Sequence, residues 1–122
     1  MAHILVVDDS ATDQHVFRKV LERHGHQVTV ASDGREGVGL AERLQPDLIL
    51  MDVVMPVLNG FQATRELSRN ESTRRIPVVM VTTKDGQSDM LWAKRQGARA
   101  YLVKPTREKQ LVETIEQILQ VH

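Results

Sequence analysis

The chain alternates between short apolar runs and longer stretches in which apolar residues recur every three or four positions. The runs are Ile4–Val7, Val28–Val30, Leu48–Met51, Val78–Val81 and Tyr101–Val103. They are rich in β-branched residues and too short to be helices, so each reads as a strand. Helical spacing links Val16, Phe17, Val20 and Leu21, then Val38, Leu40, Ala41 and Leu44, and later Leu111, Ile115, Ile118 and Leu119. Phe61 and Leu67 mark a thinner stripe, and "DMLWAKRQ" is read as the fourth helix. Gly25, Gly34, Pro46, Gly60, Pro77, Gly97 and Pro105 fall at the boundaries.

This pattern predicts an α/β fold, (βα)5, with a parallel sheet covered by helices on both faces. Continuous apolar runs suit strands buried on both sides. The second run, "QVTVA", alternates and is placed at an edge. That agrees with the flavodoxin-like, doubly wound strand order 2-1-3-4-5, in which the first and third strands flank the topological switch point. One domain over residues 1–122 is expected, with no linker, repeat or attached effector domain.

Composition narrows the function. Lys plus Arg equals Asp plus Glu, 16 against 16, which argues against a dedicated nucleic-acid binder. Absence of cysteine excludes disulfides and thiolate metal sites and fits a reducing compartment. Acids follow the first apolar run at once, so it is neither a signal peptide nor a membrane span. A cytoplasmic protein, mostly monomeric and without nucleic-acid or membrane partners, is expected. The five histidines lack ligand spacing, and His24 and His26, flanking Gly25, are read as surface residues.

In this fold, ligands bind outside the carboxyl ends of the strands, near the switch point. Asp8 and Asp9 follow the first strand, and Asp52 is read as the terminal residue of the third. Any single acid at a strand end has an ordinary structural use, and Asp8 or Asp9 could cap a turn or the first helix together with Ser10 or Thr12. Three converging carboxylates repel one another and call for a cation. Oxygen-only ligation suits Mg²⁺, with Asp9, Asp52 and the backbone carbonyl of Val54 as ligands and Asp8 orienting the metal or binding through water. The fourth strand delivers Thr82 to the same edge and the fifth delivers Lys104, expected to pair directly with Asp52. Nucleophilic carboxylate, metal, lysine and hydroxyl together form a set suited to phosphoryl transfer.

The stretches "ILVVDDS", "DLILMDVVMPVLNGF", "IPVVMVTT" and "GARAYLVKP", in this order and spacing, resemble the response-regulator receiver domain (CheY-like) over nearly the whole chain. That resemblance implies Asp52 as phosphoacceptor, Asp8 and Asp9 as the acidic pair, Thr82 as switch hydroxyl, Tyr101 as switch aromatic, Lys104 as the site lysine and a cis bond before Pro105. It further implies a stand-alone phosphoprotein of a two-component phosphorelay. Such a protein takes phosphate from a histidine kinase or its phosphotransfer domain and catalyses only its own Mg²⁺-dependent phosphorylation and dephosphorylation. "GFQATRELSR", "VTTKD" and "WAKRQGARAYLVKP" are similar to regulators of type IV pilus twitching motility, implying a downstream target in the pilus machinery. Val54 and Lys84 stand where fast-cycling members carry polar or acidic residues, and Thr83 replaces a smaller one. All three are expected to tune the phosphoryl lifetime. Met90, Trp92, Lys94 and Tyr101 are candidate docking residues, with a core role the alternative for Trp92. Rival readings are a phosphate sink without its own target and a non-phosphorylated scaffold. A flavodoxin-like cofactor module is opposed by the lack of a Gly-rich phosphate loop.

Overall fold

The computed structural model describes residues 1–120. Its elements are β1 (His3–Val7), α1 (Ala11–Arg23), β2 (Gln27–Ala31), α2 (Gly34–Leu44), β3 (Leu48–Met51), α3 (Gly60–Arg69), β4 (Val78–Thr82), α4 (Gln87–Gln96), β5 (Ala100–Val103) and α5 (Glu108–Gln120). All strands are parallel, in the order β2-β1-β3-β4-β5. The alternating strand, β2, is indeed an edge.

Why the central runs are continuously apolar is visible in the two cores. Successive strand residues point to opposite faces. Leu5, Val7, Ile49, Met51, Val78 and Met80 meet α2, α3 and α4 on one side. Ile4, Val6, Leu48, Leu50, Val79 and Val81 meet α1 and α5 on the other. Helix starts follow local chemistry. Ser10 Oγ accepts from Asp13 N–H, and Asp33 accepts from Glu36 N–H. Asn59 and Gln62 form a reciprocal capping box that starts α3 directly after the β3 loop.

Four expectations need correction. Asp52 is not the last residue of β3, which ends at Met51. It sits one position beyond, and its N–H still donates to Val7 O at 2.9 Å. Val16 is 48% exposed, because it lies about 100° round α1 from Phe17 while Val20 and Leu21 flank that residue more closely. Leu44, the final residue of α2, is 43% exposed for want of a further helical turn beside it. The His26 side chain is only 7% exposed, held as its Nδ1 accepts from Ala2 N–H. Burial pushes its imidazole below the usual histidine range, against the pull of Glu116.

Candidate functional site

Four neighbouring strands deliver polar residues to one sheet edge. Asp8 leaves β1, Asp52 leaves β3, Thr82 ends β4, and Lys104 follows β5. Asp8 and Thr82 are fully buried and Asp52 nearly so, whereas Asp9 is exposed. Asp8, Asp9 and Asp52 each offer a carboxylate oxygen within 4.8 Å of the others. An all-oxygen set this close, one member facing solvent, fits a hard divalent cation that keeps several waters, as Mg²⁺ does. The Val54 carbonyl belongs to the same loop, two residues beyond Asp52, while its side chain turns outward, 57% exposed.

Lys104 ties the cluster together. Its ammonium donates to Asp8 Oδ2 at 2.7 Å, to Asp13 Oδ2 at 2.8 Å and to Asp52 Oδ2 at 3.4 Å. It also lies 5.9 Å from the centroid of the Phe17 ring. Asp52 is therefore the most distant of three carboxylate partners, not the principal one. The reason is that α1 supplies Asp13, a residue the strand-end pattern does not mark. Asp13 and Phe17 are four residues apart on one face of α1, and both touch the lysine. Burial works against the charge on Lys104. Its bonds to Asp13 and Asp8 and the charge of Asp52 outweigh that and raise its pKa above the ordinary lysine value. Burial pushes the Asp8 carboxyl upward, opposed by Lys104 and by the Ser10 N–H donating to Oδ1 at 2.9 Å.

The nucleophile candidate is oriented at both oxygens. Asp52 Oδ1 accepts from Val53 N–H at 2.7 Å, and Oδ2 faces Lys104. Thr82 Oγ1 accepts only a long bond, 3.4 Å, from Lys84 N–H, while the Tyr101 hydroxyl donates to Lys84 O at 2.8 Å. Thr83 and Lys84 are exposed at the rim, and the Lys104–Pro105 peptide is cis. On α4, Met90 is 37% and Trp92 47% exposed, so Trp92 is no core anchor; Ala93 alone of that helix is buried. Lys94 is exposed too. A surface hollow of about 1080 Å³, lined by His26, Pro46, Arg75, Pro77 and Arg99 among others, touches none of these residues.

The family profile described as the response regulator receiver domain matches residues 4–116. The chain belongs to the response-regulator receiver family.

This receiver is 55% identical over 119 residues to Protein PilH of Pseudomonas aeruginosa, covering 98% of each chain. Its fold superimposes on the chemotaxis protein CheY4 of Vibrio cholerae with a TM-score of 0.91 at 32% identity, covering 97% of this chain and 98% of the other. The receiver domain of a Pseudomonas aeruginosa sensor histidine kinase gives 0.91 at 35% identity over 98% of each chain. That structure has a magnesium ion coordinated in its active site cleft. Within the present receiver, glycine holds the β3–α3 loop against the cluster: a Cβ on Gly60 would collide with the Asp52 carbonyl oxygen. Gly60 N–H donates to Val53 O at 2.8 Å, so the turn that carries Asp52 is pinned to the start of α3. No helix among the described residues is long and apolar enough to cross a membrane.

Proposed function

We propose that this receiver takes a phosphoryl group from a phosphohistidine of a histidine kinase, or of its phosphotransfer domain, onto Asp52. The observation that carries the reading is the setting of Asp52, with one oxygen on the Val53 N–H, the other facing Lys104, and Asp8 and Asp9 alongside. An aspartate is ionised at neutral pH, so the nucleophile needs no base. As the Asp52 oxygen bonds to phosphorus, the P–N bond breaks and its electron pair leaves with the imidazole. Asp8, Asp9, Asp52 and the Val54 carbonyl are the residues that would hold Mg²⁺, which would supply positive charge to the phosphoryl oxygens. Lys104 supplies a second positive charge from the β5 side.

Phosphorylation replaces a carboxylate by a dianionic group. Thr82, held only loosely by Lys84 N–H, turns its hydroxyl towards that group and vacates space. Tyr101 then leaves the Lys84 carbonyl and rotates inward, shifting the surface of α4, β5 and α5. Met90, Trp92 and Lys94 are each exposed on α4 and offer a partner apolar and basic docking positions around that helix. The receiver acts by protein contact in the cytoplasm and turns over no substrate other than its own phosphoryl group. Likeness to PilH over 98% of both chains supports a place in type IV pilus and twitching control.

Incubation with Mg²⁺ and acetyl phosphate, read by intact mass, is expected to add one phosphoryl group to the wild type and none to Asp52→Asn. Addition to both would overturn the site. For output, a phosphoryl mimic in a partner pull-down is expected to enrich a motility protein; enrichment of the kinase alone would favour a phosphate sink.

A further inference from the structure

The site lysine has a partner that the phosphoacceptor reading leaves unexplained. Asp13 accepts from Lys104 at 2.8 Å, nearer than Asp52 at 3.4 Å. It lies outside the group of three carboxylates that can share a cation, so its hold on the lysine does not depend on metal ligation. Its side chain is 37% exposed, and its own backbone N–H is fixed by Ser10 Oγ at 3.2 Å, so the carboxylate is carried on an anchored first turn. Four residues on, Phe17 lies beneath the same ammonium. The Lys104 stem is therefore steered from α1 as well as from the strand edge.

We propose that Asp13 is a positioning residue that draws Lys104 away from Asp52, so that phosphoryl transfer to Asp52 has to loosen the Asp13–Lys104 pair. This rests on Asp52 being the phosphoacceptor. A developing phosphoryl group competes with Asp13 for the ammonium, and neutralising Asp13 removes the competitor while leaving the lysine and its Asp8 contact in place. The carboxylate thereby sets how readily the domain is phosphorylated before any partner is considered. Substitution acts through the charge and reach of one side chain, since no other hydrogen bond of that carboxylate is needed to cap α1.

The test measures the phosphorylation rate with phosphoramidate and Mg²⁺ by intact mass, for wild type, Asp13→Asn, Asp13→Glu, Asp85→Asn and Asp52→Asn. Asp85 is an exposed acid in the loop after β4 that makes no bond to Lys104. Asp13→Asn is expected to react about fivefold faster, the scale of one partly exposed ion pair. Asp13→Glu, which restores the charge, is expected to return towards the wild-type rate. Two-dimensional NMR of the Lys104 ammonium is expected to show a shift in Asp13→Asn and none in Asp85→Asn. A rate in Asp13→Asn equal to or below wild type would overturn the proposal, as would equal acceleration by Asp85→Asn, which marks a general charge effect. An unshifted ammonium signal in Asp13→Asn would overturn it as well. Mass gain in Asp52→Asn, or none in the wild type, sinks the phosphoacceptor reading instead, and the two failures are thus told apart.

Discussion

At the scale of single residues, Val57 is the clearest departure from local preference. Its φ is +70°, a region that β-branched side chains enter only at a cost, and it is 79% exposed, so no packing requires the valine. Val57→Asn is expected to raise stability by about 1 kcal/mol, seen as a higher urea midpoint at unchanged slope. Val54 and Lys84 present the other residue-level question. Both side chains are exposed, one apolar and one cationic, and neither type is suited to orient an attacking water. The double variant Val54→Asn, Lys84→Glu is expected to lose its phosphoryl group about tenfold faster, an order of magnitude short of what a fully positioned general base supplies. An unchanged decay would remove both from control of the lifetime. Asp8, Asp9, Asp52, Thr82 and Lys104 were all legible in the sequence, because each follows or ends an apolar run and the strand order brings those ends together. Asp13 was not. An acid in the first turn of a helix is ordinary, and its partner lies 91 positions away.

At the scale of elements, the strands and their order follow from continuous apolar runs and one alternating run. Periodicity alone misjudged Val16 and Leu44, since it counts apolar residues on a stripe without knowing where the neighbouring helix or sheet ends. The left-handed φ of Val57 is equally invisible, because valine gives no turn signal. The β5 strand and the loop before α4 meet at Tyr101, whose hydroxyl is pushed up to about 12 by burial first and then by Asp89, Asp52 and Asp85. The sign follows directly. Between the unfolded value near 10 and about 12, the folded state holds the proton more tightly, so this contribution to stability is whole below pH 10 and is lost as pH rises through 12. Tyr101 is the single tyrosine, so the pH-dependent rise in absorbance at ~295 nm reports its ionisation alone. A midpoint near 12 is expected while circular dichroism reports a folded chain, with a lower midpoint in Asp89→Asn. An ordinary midpoint near 10 in the folded protein would contradict that environment.

At the scale of the whole molecule, a cation held at the carboxylate cluster is expected to couple its binding to folding, because the unfolded chain does not hold Asp8, Asp9 and Asp52 together. Mg²⁺ at a hundredfold excess over its Kd is expected to stabilise the fold by about 2.7 kcal/mol, raising Tm by roughly 10 °C. Asp9→Asn and Asp52→Asn should each abolish most of that rise in thermal melts at fixed ionic strength. An equal rise in all three proteins would place the cation elsewhere. The span of the Asp8–Lys104 contact carries a last consequence. These residues are 96 positions apart, one just beyond β1 and the other just beyond β5. β1 lies between β2 and β3, so the first strand to leave the ribosome waits for the third to complete its pairing. Chemistry that draws on both ends of the chain is unavailable to a partly synthesised copy. Under the proposed role of Asp52, competence to accept a phosphoryl group is expected to arrive only with β5.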